Sequence, residues 1–144
     1  MEGMRGIFRG LDIAAAGLRA EMQRSEVVAA NISNMHITGG RTRDPYRRKT
    51  VVFEELLEQG ANATRQAGGV RVKEVVEDRT TPFLPRYDPQ DPENKDGWVL
   101  TSNVDVFREL VDINVISRSF EANLAAMRAY RSMVQAAITN IGRS

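Results

Sequence analysis

Residues 103–141, NVDVFRELVDINVISRSFEANLAAMRAYRSMVQAAITNI, decide the fold. From Val106 onward, mostly apolar side chains recur in alternating steps of four and three residues, which is the spacing of a coiled-coil helix. No Gly or Pro interrupts the stretch, and inside a helix these residues cost about 1 and about 3 kcal/mol respectively. The stretch therefore predicts one long helix. Its heptad seam comprises Val106, Leu110, Ile113, Ser117, Phe120, Leu124, Met127, Arg131, Val134, Ile138 and Ile141.

The length of this helix bears on the shape of the molecule. Ser102 or Asn103 is the expected N-cap, because both side chains can accept a hydrogen bond from the first turn. A helix from about Asn103 to Ile141 would be about 57 Å long, at about 1.5 Å per residue. A globule with the length of this chain would be under about 40 Å across. We therefore expect an elongated molecule.

The N-terminal segment repeats the heptad pattern with smaller side chains. Its recurring positions are Leu11, Leu18, Ser25 and Ile32, and Ala15, Met22 and Ala29 lie between them. This spacing predicts a second amphipathic helix, which should end near Asn34.

The middle of the chain differs from both ends. All five prolines lie between Pro45 and Pro92, so neither helix can continue through this region. Short β-branched runs at Thr50–Phe53, Gly69–Val72 and Trp98–Leu100 predict small antiparallel strands joined by loops. The expected division is an N-terminal helix over 1–36, a small β/loop region over 37–100 and a C-terminal helix over 101–144. The predicted fold class is mainly α with a small β part, in which two long terminal helices form a coiled-coil hairpin.

The composition excludes many functions. The 144 residues include no Cys and a single His, and 20 basic residues balance 19 acidic ones to give a net charge of +1. Without cysteine there is no disulfide, zinc–thiolate site or cysteine nucleophile, and a nearly neutral chain is a poor nucleic-acid coat. We expect no catalytic, cofactor-binding or metal-binding residues and no nucleic-acid partner; His36 has no catalytic company in the sequence.

Two charged loops invite a binding interpretation and do not support it. Asp88, Asp91, Glu93 and Asp96 miss the spacing of a calcium loop, which favours a solvated turn. The basic run over 41–49 contains one aromatic residue, Tyr46, and no phosphate-binding glycine motif. It is predicted to be a solvated or subunit-contacting loop.

Targeting features are equally sparse. No run approaches the roughly 18 apolar residues that a membrane-spanning helix needs. Arg5 and Arg9 are not followed by an apolar segment of the kind found in secretory signal peptides. We therefore expect neither a membrane span nor a cleaved signal peptide.

The two amphipathic helices predict an assembly surface. Two paired helices would leave much of each apolar stripe in water, and burying apolar surface is worth about 25 cal/mol per Å². This favours a subunit that polymerises or bundles through its terminal helices. The alternative is an ordinary hairpin core within one molecule.

Several motifs resemble those of the bacterial flagellar rod and hook family. The run GLRAEMQRSEVVAANISN at 17–34 is similar to the family's N-terminal signature, which ends in an asparagine pair, here Asn31 and Asn34. The Asn-Val-Asp opening at 103–105, followed by Arg118, Phe120 and Asn123, resembles its C-terminal signature. PYRRKTVVF at 45–53 and YDPQDPENKDGWV at 87–99 are similar to segments of the family's short proximal-rod branch.

The resemblance implies a non-enzymatic structural subunit of the flagellar basal-body proximal rod. Its partners would be other flagellar rod proteins and copies of itself, packed through the terminal helices into a tube that transmits torque. It would reach the periplasmic rod through the flagellar type III export apparatus, without a cleaved signal peptide. The alternatives are another short rod paralogue and a cytoplasmic coiled-coil adaptor or scaffold protein.

The residues predicted to lie at the subunit interface come from the two heptad patterns and from the motifs of the resemblance. They are Leu11, Leu18, Met22, Ala29, Asn31, Ile32, Asn34, Leu110, Ile113, Arg118, Phe120, Asn123, Leu124, Met127, Arg131, Val134 and Ile138.

Overall fold

The computed structural model describes residues 2–59 and 65–141. Residues 1, 60–64 and 142–144, which belong to the three predicted segments, lie outside the described residues. The elements in chain order are α1 (Glu2–Asn34), β1 (Lys49–Gln59), β2 (Arg65–Glu77), β3 (Leu84–Tyr87), β4 (Trp98–Thr101) and α2 (Val106–Ile141). The fold is mainly α with a small β part, as predicted.

The end of α1 agrees with the sequence prediction, whereas the start of α2 corrects it. α1 ends at Asn34, the predicted residue. α2 begins at Val106, and its N-cap is Asp105, whose carboxylate accepts the backbone N–H of Phe107 at 2.9 Å. The prediction of Ser102 or Asn103 as the cap was wrong. Asn103 is occupied elsewhere, because its side chain accepts the N–H of Arg48 and donates to the carbonyls of Asp78 and Thr81.

The strands form two small antiparallel sheets, β1 with β2 and β3 with β4. The predicted strands at 50–53, 69–72 and 98–100 fall within β1, β2 and β4. β3 lies between the predicted strands, where the sequence predicts only loops, and it pairs with β4 from Leu84 opposite Thr101 to Tyr87 opposite Trp98. A two-residue turn at Asp96 and Gly97, both with positive φ, is the tight connection that suits a twisted hairpin.

The chain divides into two compact units. Unit 1 contains residues 1–23, 53–73 and 115–144, and unit 2 contains residues 24–52 and 74–114. Each unit therefore takes a part of both helices and a part of the middle region. The buried apolar side chains are few and mostly small: Ala14, Ala16, Ala20 and Ile116 in unit 1, and Val28 and Val99 in unit 2.

Candidate assembly surface

In unit 1, α1 and α2 approach each other through glycine. A Cβ at Gly10 would overlap the ring of Tyr130. A Cβ at Gly17 would lie 2.8 Å from the Oδ1 atom of Asn123. Small residues at a seven-residue spacing on α1 therefore make room for larger side chains on α2.

In unit 2, the contact between the two helices is polar. Asn31 on α1 is completely buried, and its amide donates to the Glu109 carboxylate at 3.1 Å and to the Lys49 carbonyl at 2.8 Å. Its Oδ1 atom accepts from the Lys49 N–H at 2.9 Å and from the Tyr46 hydroxyl at 3.1 Å. All four hydrogen-bonding positions of this amide are thus used inside the chain.

Glu109 and Arg48 complete a buried ionic cluster around Asn31. Glu109 is completely buried and accepts from Arg48 Nε at 2.6 Å. The guanidinium also contacts Asp112 at 3.0 Å, and Asp112 contacts Arg24 at 2.8 Å. Burial, followed by the charges of Glu109 and Glu77, raises the pKa of Tyr46, which keeps that hydroxyl a donor. We name Asn31, Arg48, Glu109 and Asp112 the polar cluster.

The basic run at 41–49 is exposed over residues 41–44, as a solvated loop would be, whereas residues 45–49 are buried or half-buried. Arg47 donates to the Asp78 carbonyl and stacks over Phe83 at 4.1 Å from the ring centre, while Arg48 belongs to the polar cluster. Arg41 and Arg43 donate to the carbonyls of Pro92 and Thr38. The run holds unit 2 together because its donors meet backbone acceptors and buried carboxylates.

The acidic turn at 88–96 is only partly solvated, which also corrects the sequence prediction. Glu93 is buried and accepts from the backbone and the hydroxyl of Thr42. Asp91 accepts from the Thr38 hydroxyl at 2.8 Å and from the Glu93 N–H at 2.8 Å. These hydrogen bonds lower the pKa of both carboxyls. The turn therefore holds residues 38–42, which follow α1, in place through these hydrogen bonds.

The predicted heptad seam of α2 lies one residue away from the face that packs within the chain. Buried or half-buried positions include Glu109, Asp112, Ile116, Ser119, Asn123 and Tyr130. Large apolar side chains of the seam are instead exposed: Leu110 by 47%, Ile113 by 39%, Phe120 by 36% and Ile138 by 62%. Ser117, Arg118 and Arg131 are exposed as well. Leu124, Met127 and Val134 are half-buried.

α1 shows the same offset. Its packed positions are Gly10, Ala14, Gly17, Arg24, Val28 and Asn31. Of the predicted interface residues, Met22 and Ala29 are exposed, while Leu11, Leu18, Ile32 and Asn34 are half-buried. Asn34 donates to the carbonyl of Ala30 within its own helix. Small and polar side chains thus face inward, and larger apolar ones remain at the surface; their role between chains stays a prediction.

The polar cluster was missed by sequence reasoning. The sequence motifs single out Asn31, but they place Arg48 only in a basic loop at 41–49. The available clue was that Glu109 and Asp112 share a helical face at a spacing of three residues. A carboxylate pair on that face needs a basic partner from another segment.

Neither a membrane span nor a metal centre emerges from these side chains. Within residues 2–59 and 65–141, no helix is long and apolar enough to cross a bilayer. In the same ranges, no three potential ligands of the His, Cys, Asp and Glu types come together.

Two long helices, of which α2 keeps large apolar side chains partly exposed, and a small β region are the features of a helical structural protein. A family model described as the C-terminal region of the flagellar basal-body rod FlgEFG proteins matches residues 95–140. The chain belongs to the flagellar basal-body rod protein family and is a structural subunit of the rod. Curated relatives cover almost its whole length.

Three relatives, each named flagellar basal-body rod protein FlgC, show the extent of the similarity. The Bacillus subtilis protein is 36% identical over 144 residues, covering 91% of this chain and 95% of its own length. The Agrobacterium fabrum protein is 38% identical over 128 residues, covering 88% of each chain. The protein of Escherichia coli O6:H1 is 36% identical over 129 residues, covering 89% of this chain and 92% of its own.

Proposed function

We propose that this chain is a subunit of the proximal rod that assembles by packing the exposed apolar stripes of its terminal helices against neighbouring rod subunits. The neighbours are copies of the chain or other rod proteins. Segments 1–36 and 101–144 form the assembling part, as a coiled-coil hairpin, and 37–100 forms the middle region. The packed helices transmit torque along the rod, and the chain has no catalytic role.

One observation carries this proposal: four large apolar side chains of the α2 stripe, two in each unit, stay partly exposed although each unit has packed its own helices. Leu110, Ile113, Phe120 and Ile138 follow the coiled-coil spacing and are all more than one third exposed. A row of this kind marks an interaction surface, since soluble monomers rarely leave contiguous apolar patches uncovered. The relatives named as rod proteins supply the kind of neighbour that would cover it.

The route to the rod belongs to the same proposal. We place the chain in the periplasmic part of the basal body and assign its export to the flagellar type III apparatus. The support is the family membership.

The test is a charge placed on the stripe. Phe120→Asp in a strain lacking its own copy of the gene should abolish motility and leave basal bodies without a completed rod, because a desolvated, unpaired carboxylate opposes helix packing. Ala122→Asp is the matched control, since it adds the same charge two residues away, on the far side of α2. Normal motility with Phe120→Asp would contradict the proposal, provided that the protein is present at wild-type level.

A further inference from the structure

The helices of unit 2 pack through their less apolar faces. Glu109 is enclosed while its neighbour Leu110 is 47% exposed. A rotation of α2 by about one residue position, about 100°, would exchange the two. At positions 109 and 110, burial of apolar surface favours that exchange, although the same rotation would expose Ile116, which is 6% exposed. In unit 2 the exchange is opposed by the contacts of Glu109.

The polar cluster is the element that opposes this rotation. Asn31 from α1 and Arg48 from the segment before β1 both bond the enclosed Glu109 carboxylate, at 3.1 and 2.6 Å. A rotation would carry Glu109 away from both partners and leave the amide of Asn31 and the guanidinium of Arg48 buried without it. Leaving a buried charge unpaired costs more than the apolar contact would return.

We propose that the polar cluster is a rotation lock, which keeps the apolar stripe of α2 facing outward instead of letting unit 2 bury it. Replacing a buried ionic group by apolar residues of similar size is often neutral or stabilising, and a buried polar group can specify one helix alignment over others. The cluster thus selects which face is exposed and is not the main source of stability. Its use in assembly rests on the proposed function, whereas the lock itself is a property of the isolated chain.

The test measures the exposure of position 110 in the free protein. Because the chain has no native cysteine, Leu110→Cys provides a single thiol for a maleimide reagent. With the cluster intact, labelling should be fast. In the triple variant Asn31→Leu, Tyr46→Phe, Arg48→Met, the enclosed Glu109 loses both of its partners, and Tyr46→Phe removes the hydroxyl that donated to Asn31. Labelling should slow at least tenfold while the protein remains folded, because the unpaired carboxylate turns outward and residue 110 turns inward.

Two controls keep the result specific. Phe107→Cys, at a residue that is 81% exposed, should stay readily labelled in the triple background. Glu77→Leu with Arg79→Met removes an exposed ion pair of 3.5 Å in the same unit and should leave labelling at position 110 unchanged.

The lock is contradicted if the folded triple variant labels position 110 at the wild-type rate. If the triple variant does not fold, Arg48→Met alone decides the question, because it removes the shorter of the two hydrogen bonds to Glu109, 2.6 Å against 3.1 Å. A severalfold slower reaction at position 110 supports the lock, and an unchanged rate in the folded single variant overturns it. Assembly plays no part in these readouts, so they stand apart from the motility test.

Discussion

At the scale of single residues, the close packing of α1 against α2 in unit 1 depends on two glycines, which have no side chain. Gly10 and Gly17 have no Cβ where Tyr130 and Asn123 lie. Glycine inside a helix is costly relative to alanine, by about 1 kcal/mol. The close approach explains why this cost is accepted at these two positions, and it can be tested by comparing two glycines of the same helix.

Gly10→Ala should destabilise the protein by about 1 kcal/mol, because displacing the Tyr130 ring costs more than the gain in helix propensity. Gly6 is the control, since a Cβ there has no neighbour within 4 Å. Gly6→Ala should stabilise by about 0.5–1 kcal/mol. Urea unfolding followed by circular dichroism measures both. Equal stabilisation by the two substitutions would show that the Tyr130 ring does not occupy the space beside Gly10.

A second residue-scale prediction concerns the buried ion pair. Glu109→Ala leaves the Arg48 guanidinium without its buried acceptor and should cost about 3 kcal/mol. Arg79→Ala removes an ion pair whose side chains are 82% and 45% exposed, and should cost less than about 1 kcal/mol. The free energies of unfolding of the two variants give the comparison. Similar small losses would mean that Glu109 is not held as the structure has it.

At the scale of elements, the sequence predicts where the helices lie in the chain but not which face of each helix packs within the chain. The absence of Pro and Gly over 103–141 predicted α2, and the spacing of Leu11, Leu18 and Ile32 predicted α1. Periodicity predicts a stripe but does not say whether the stripe faces its own chain. That choice depends on contacts between distant residues, such as Asn31 with Glu109, which a local pattern cannot contain.

The start of α2 shows a similar limit. Ser102, Asn103 and Asp105 are all competent caps, and only the tertiary bonds of Asn103 leave the role to Asp105. Asp105→Ala should therefore destabilise by about 1 kcal/mol. Ser102→Ala, which removes a weaker bond of 3.3 Å to the Val104 N–H, should cost less. Thermal unfolding of both variants measures which substitution costs more stability. A larger loss with Ser102→Ala would show that Ser102 is the N-cap.

The acidic turn gives unit 2 a dependence on pH. The pKa values of Asp91 and Glu93 are lowered by hydrogen bonds from Thr38, Thr42 and the backbone. Carboxyls with lowered pKa stabilise the fold above their unfolded values of about 4, and this contribution is lost as pH falls through the lowered values. Stability should therefore be constant near neutral pH and decline below about pH 4.5.

The single tryptophan, Trp98 in β4, reports this acid transition by fluorescence. Glu93→Gln should reduce the pH dependence, because the amide cannot ionise, whereas Asp44→Asn at an exposed position should leave the curve as it is. An acid transition in Glu93→Gln identical to that of the wild type would show that the Glu93 carboxyl does not contribute to the pH dependence of stability.

At the scale of the whole molecule, the chain combines a sparse core with exposed apolar side chains. Its buried apolar residues are mainly Ala and Val, while Phe107, Val111 and Ile138 are each more than 60% exposed. If the chain assembles as proposed, binding to neighbouring subunits adds to the stability of its folded state. The isolated chain should therefore self-associate as its concentration rises, and Phe120→Asp should weaken the association at least tenfold in sedimentation measurements. Association that persists unchanged in this variant would place the contact elsewhere.

The most direct test is electron cryo-microscopy of intact basal bodies at a resolution that shows side chains. The account predicts density in which Leu110, Phe120 and Ile138 are covered by other subunits, while Asn31 and Glu109 remain paired within one chain. A rod in which these three apolar side chains pack inside their own subunit, or face open solvent, would contradict it.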